Sequence, residues 1–120
     1  MQLHTMQTDS IFIRLTATNF RQEVLESARP VFVEFFANWC GTCHINAPLI
    51  REMAAKFENR IKFCTVDMEV YSEAAKTYGV RKTPTMLFFR HGQVVDYMLG
   101  IAPRTVITQK LEALLQSNRE

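Results

Sequence analysis

The chain has 120 residues, 48% of them apolar and 22% charged, with a formal net charge of +2 and three cysteines. That length suits one domain around one hydrophobic core, and the composition excludes an intrinsically disordered polymer. Acidic and basic residues are interspersed, so no basic stripe marks a nucleic-acid footprint, no apolar run is long enough to span a bilayer, and three cysteines are too few for a disulfide scaffold.

The polar stretch Met1–Ser10 has no basic segment leading into an apolar run, and reads as an N-terminal extension without an export signal, ahead of a domain over residues 11–120. Ile11–Leu15 is a short β-rich run. Thr18 or Asn19 then offers an N-cap for a helix with Phe20, Val24 and Ala28 on one face, closed by Pro30. Val31–Ala37 is apolar everywhere except at Glu34, as in a central strand covered on both sides. Beyond Cys40 and Cys43, the residues Ile45, Leu49, Met53 and Phe57 recur every fourth position, which predicts an amphipathic helix with Pro48 as a kink. The cysteines therefore fall where a strand gives way to a helix.

Ile61–Val66 reads as the next strand, and Ser72–Tyr78 as a helix stopped by Gly79 in a left-handed C-cap. Thr85–Phe89 and Val94–Leu99 flank His91-Gly92 closely enough for an antiparallel hairpin. Pro103 opens a last helix whose Ile107, Leu111, Leu114 and Leu115 form a core-facing stripe. The order βαβαβαββα predicts an α/β fold, a mixed five-stranded β-sheet flanked by four α-helices.

Cys40-Gly41-Thr42-Cys43 places two thiols one helical turn apart, on the same side, so they can close a small disulfide ring. Cys40 lies nearest the unpaired N–H groups and the positive end of the helix dipole, which lowers a thiol's pKa and makes it the nucleophile. Cys43, one turn further in, is shielded and suited to resolve the mixed disulfide that Cys40 forms. Zinc needs four ligands, and the chain offers no second Cys-x-x-Cys or Cys/His pair, so no metal and no other cofactor is expected. Cys64, in an apolar run, reads as a small buried hydrophobe. The five residues Cys40 to His44 also satisfy the Cys-x-x-Cys-His rule for covalent c-type haem attachment. A haem carrier of that kind is expected to be helical, whereas this chain supplies five strand signals. His44 is left as a first-turn residue that either tunes Cys40 electrostatically or is inert.

Phe36-Ala37-Asn38-Trp39-Cys40-Gly41-Thr42-Cys43 resembles the active-site segment of the thioredoxin family, usually Trp-Cys-Gly-Pro-Cys-Lys, with departures at Thr42 and His44. The likeness continues through Tyr78-Gly79-Val80-Arg81-Lys82-Thr83-Pro84-Thr85 and Gly100, and covers about residues 11 to 117. The resemblance implies a thioredoxin fold and a thiol–disulfide oxidoreductase that reduces protein disulfides, or a disulfide oxidase or isomerase of the same fold. It implies a cis Pro84 facing the cysteines, with the Thr83 backbone free to pair with an extended substrate. Trp39 would then shield the disulfide, and Gly41, Gly100 and Ile101 would leave a shallow surface for a protein substrate. Glu34 stands where the family usually has a buried aspartate that helps deprotonate the second cysteine, and burial would suit it to proton transfer near neutrality. Thr42 restores a backbone N–H near Cys40, from which a potential above the value of about −270 mV typical of thioredoxin is expected. The expected partners are disulfide-containing protein substrates and a recycling reductase such as thioredoxin reductase, with no nucleic acid and no membrane; a cytoplasmic monomer is expected. A non-catalytic binding module of the same fold would usually have lost a cysteine, and both are present.

Overall fold

The computed structural model describes residues 11–116, and the expected extension over residues 1–10 lies outside them. Nine elements follow one another: β1 (Ile13–Arg14), α1 (Arg21–Leu25), β2 (Val31–Phe36), α2 (Gly41–Phe57), β3 (Lys62–Asp67), α3 (Ser72–Tyr78), β4 (Thr85–Arg90), β5 (Gln93–Leu99) and α4 (Arg104–Gln116). The strands form one sheet in the order β1-β3-β2-β4-β5. The first three are parallel, β4 runs antiparallel to β2, and β5 runs antiparallel to β4 and so in the direction of the first three; the expected mixed sheet is present.

The period-two alternation of β2 sorts the core into two halves. Phe32 packs with Ile50, Met53 and Phe57 of α2 and with Ile107 and Leu111 of α4. Val31, Val33 and Phe35 face the other way, onto Val24 of α1 and Ala74 and Ala75 of α3. Glu34 shares its face with Phe32, beneath the beginning of α2. Its lateral neighbours in the sheet are Thr65 on β3 and Met86 on β4.

Several boundaries differ from the sequence expectation. The first strand keeps only two paired residues, because it is an edge strand held from one side; Leu15 adds a single further bond from its N–H to the Thr65 carbonyl (2.9 Å). The first helix is one wide turn of π-type, closed by Glu26 N–H on the Arg21 carbonyl (2.9 Å), and Ala28 lies beyond it, exposed. Asn19 does not cap it: its amide turns back to accept from Thr16 N–H (2.8 Å) and to donate to the Arg14 carbonyl (3.1 Å). In α2 the buried face is Cys43, Asn46, Ile50, Met53, Ala54 and Phe57, while Ile45 is 66% exposed. A strict spacing of four overshoots a turn by about 40° per step, so such a row drifts off the core within three steps. Helix α2 runs through Pro48 without a break.

Other expectations hold to the residue. Gly79 closes α3 with φ of 69°, and the hairpin turns on His91 and Gly92 with φ of 53° and 78°, the two left-handed residues of a primed turn. Gly92 is required for a second reason: a Cβ there would lie 2.9 Å from the Leu25 carbonyl oxygen, which packs the turn against the end of α1.

Candidate active site

Strand β2 ends at Phe36, and the chain makes a short turn before α2 begins at Gly41. Cys40 is the N-cap of α2: its backbone is extended (φ −85°, ψ 107°) and its sulfur accepts the Cys43 N–H at 3.1 Å. An N-cap side chain normally takes this third-position amide with an oxygen, and here a sulfur does it. Cys40 and Cys43 are joined as a disulfide with Cα atoms 5.3 Å apart, and both are buried. The Thr42 hydroxyl lies 3.3 Å from the Cys40 sulfur and reaches the Thr83 carbonyl at 3.5 Å, so it bridges the cysteine turn to the loop before β4.

The peptide between Thr83 and Pro84 is cis, as expected, and Pro84 is buried. Its carbonyl accepts the Gly100 N–H at 2.9 Å, which brings the loop after β5 alongside. The next residues are held from below: Ala102 N–H donates to Asn46 Oδ1 of α2 at 3.1 Å. Cys40, Cys43, Thr83, Pro84, Gly100 and Ile101 are thus gathered at one end of the sheet. Around them the surface is open: a Cβ at Gly41 or Gly100 would touch nothing within 4 Å, and Ile101 is exposed. Trp39 stands out from this surface at 71% exposure, its indole N–H donating to Glu69 Oε2 (2.9 Å).

Behind the disulfide lies a cavity of about 340 Å³ that both Glu34 and Cys43 line, together with Arg51, His44 and Thr65. Burial of Glu34 raises its pKa from 4.5 to about 7, and the Arg51 guanidinium partly opposes the rise. A carboxyl that ionises near neutrality beside the inner cysteine can take up and return a proton at physiological pH. The alternative reading of Glu34 as a carboxylate at a water-facing strand edge does not hold, since β2 is the central strand and Glu34 is 8% exposed.

His44 Nε2 lies 2.8 Å from the Asn38 carbonyl, which can only accept, so this nitrogen carries the proton. Cys64 is buried in the other half of the core, and desolvation pushes its thiol up to about 12, which leaves it inert beside the reactive pair. Three contributors were not anticipated. Asn46 showed itself only as a polar residue on the buried stripe of α2; Arg51 and Glu69 left no trace in periodicity or motif. Among the described residues no group of three or more His, Cys, Asp or Glu side chains is placed to hold a metal ion.

Comparison with known proteins agrees with this geometry. The thioredoxin family model matches residues 11–113. The chain belongs to the thioredoxin family. It is 41% identical over 99 residues to Thioredoxin 1 of Nostoc sp. (strain PCC 7120), covering 82% of this chain and 92% of that one. Thioredoxin 1 of Synechococcus elongatus is 38% identical over 103 residues, with 86% and 96% covered. The chloroplastic M-type thioredoxin of Chlamydomonas reinhardtii is 35% identical over 96 residues, with 80% and 69% covered. The thioredoxin-family chain is a thiol–disulfide oxidoreductase with a redox-active Cys-x-x-Cys pair. Proteins of the family act on disulfide substrates and are recycled by a reductase. No helix among its described residues is long and apolar enough to cross a membrane.

Proposed function

We propose that the chain reduces disulfides in other proteins, with Cys40 as nucleophile and Cys43 as resolving thiol. The Cys40 thiolate attacks one sulfur of a substrate disulfide; a Cys40–substrate disulfide forms and the other substrate sulfur leaves as a thiolate. The Cys43 thiolate then attacks the Cys40 sulfur, the mixed disulfide breaks, and the second substrate thiolate departs. Two electrons pass to the substrate and the Cys40–Cys43 disulfide remains, to be reduced by two electrons from a separate reductase such as thioredoxin reductase. Glu34 accepts the Cys43 proton through the shared cavity and returns it. Trp39, Gly41, Thr83, Pro84, Gly100 and Ile101 form the platform on which an extended substrate segment lies.

The observation that carries this reading is the placement of the Cys40 sulfur, which caps α2 beside the Thr83-Pro84 loop. A second direction of flow, oxidation or isomerisation, is favoured by one contact: the Thr42 hydroxyl at 3.3 Å stabilises a Cys40 thiolate, and stabilising the reduced form makes a couple more oxidising. Residues 1–10 are assigned as an extension, and the working form as a cytoplasmic monomer. The test is a glutathione redox titration of the pair together with turnover of a generic protein disulfide. Cys40→Ser is expected to abolish turnover; retained activity would move the nucleophile elsewhere. A midpoint at or below about −270 mV would refute the effect assigned to Thr42.

A further inference from the structure

A second concavity, of about 380 Å³, lies on the opposite side of the Thr83-Pro84 loop from the cysteines and has no place in the exchange cycle. Cross-strand pairing explains why it is open. Tyr97 is opposite Leu87 and Leu99 opposite Thr85, so both side chains stand on the face that α1 and α3 cover elsewhere. Helix α3 stops at Tyr78, whose ring is spent on Phe20 and Phe89 at 5.9 and 5.4 Å, and nothing described extends further over β5. Tyr97 and Leu99 are left 59% and 54% exposed on an edge strand that carries neither proline nor lysine to discourage pairing.

The rim is charged with one sign. Arg81 and Lys82, both exposed, line the concavity, and neither forms an ion pair with any described residue. They precede Thr83 directly, and Leu99 precedes Gly100, so this groove is continuous with the platform beside the disulfide. We propose that the groove is a specificity site for the substrate polypeptide itself: it takes an apolar side chain near the target cysteine between Tyr78, Tyr97 and Leu99, while Arg81 and Lys82 pair with acidic residues next to it. Substrates of this chain are therefore protein disulfides flanked by mixed acidic and apolar sequence. Such rim charges act chiefly on encounter rate and on the choice among partners. This inference rests on the exchange activity proposed above.

The test uses the full chain and two disulfide-bridged peptides, identical in carrying leucine beside the cysteine but flanked by aspartates in one and lysines in the other. The expected result is a kcat/KM for the aspartate peptide about tenfold above that for the lysine peptide at low salt, converging as salt is raised. Arg81→Glu combined with Lys82→Glu should invert the preference, and Tyr97→Ser should lower kcat/KM for both leucine peptides but not for glycine counterparts. Turnover of a small aromatic disulfide, which does not reach the groove, should be unchanged in these variants and so reports that they fold. An unaltered peptide preference in the charge-reversed chain with normal small-disulfide turnover would overturn the groove alone. Absence of small-disulfide turnover in the parent chain would overturn the exchange activity and the groove with it. A dimer in solution that Tyr97→Ser converts to monomer would assign the groove to a second copy and overturn the proposal.

Discussion

At Cys40 a single sulfur meets three donors or near-donors: the Cys43 amide, the Thr42 hydroxyl and the amino end of α2. Each favours the anion over the thiol, and of the three only Thr42 departs from the family's usual residue. Its hydroxyl has one proton, which can point to the Thr83 carbonyl in the disulfide state or to the sulfur when that becomes a thiolate. Thr42→Val removes this choice while keeping the shape of the side chain. The Cys40 thiol pKa should then rise by about one unit and the midpoint potential of the pair fall by roughly 30 mV, since about 1.4 kcal/mol corresponds to 30 mV for a two-electron couple. Thiol alkylation rates against pH and a glutathione titration read the two values, and an unchanged pKa would show that the hydroxyl stays with Thr83. The cysteines, Trp39, Pro84 and Gly100 were legible in the sequence because each sits in a motif. Asn46, Arg51 and Glu69 were not, because a side chain that meets its partner across the fold leaves no local pattern.

Among the elements, those with strong local signals appeared where the sequence placed them. Helix α3 ended on Gly79, the β4–β5 turn fell on His91 and Gly92, and α4 followed Pro103. The first helix did not follow its pattern. Phe20 and Val24 are buried as expected, but one i to i+5 turn satisfies the short connection to β2, and Asn19 finds better partners in the preceding turn than in the helix it was to cap. Periodicity marked Phe20 and Val24 as inside but overreached at Ala28, because the length of chain left between two strands decides how much helix can form. The β4–β5 turn offers a direct test of packing against propensity. Gly79→Ala meets only the cost of a positive φ, about 1 kcal/mol, since its Cβ would touch nothing. Gly92→Ala adds a clash with the Leu25 carbonyl and should cost about 2 kcal/mol or more, measured by urea unfolding; equal losses for the two would show that α1 yields freely.

The molecule as a whole carries a cost at Glu34. Its pKa of about 7 in the folded chain exceeds the ordinary 4.5, so between those values the folded state binds more protons than the unfolded one and stability falls as pH rises. Below pH 4.5 both states are protonated and the cost vanishes; above pH 7 both are ionised and it levels off at about 3 kcal/mol. Glu34→Gln should therefore leave stability nearly unchanged at pH 4 and raise it by that order at pH 8, in urea unfolding of the oxidised protein, while slowing resolution of the mixed disulfide. An equal gain at both pH values would locate the effect in packing. The central place of β2 and the two-sided core were readable from its apolar run, and so was the presence of an acid within it; the strand order β1-β3-β2-β4-β5 was not. Which face that acid takes, and which helix covers it, is decided by the register of β2 against β3 and β4.

Because the atom that exchanges electrons also terminates the longest helix, redox state and helix fraying are two ends of one thermodynamic cycle. Whatever strengthens the start of α2 more in one redox state than in the other must, to the same extent, shift the equilibrium of the sulfur that closes it, and a substrate that bends the Asn38–Gly41 turn alters the appetite of the pair for electrons without touching either thiol.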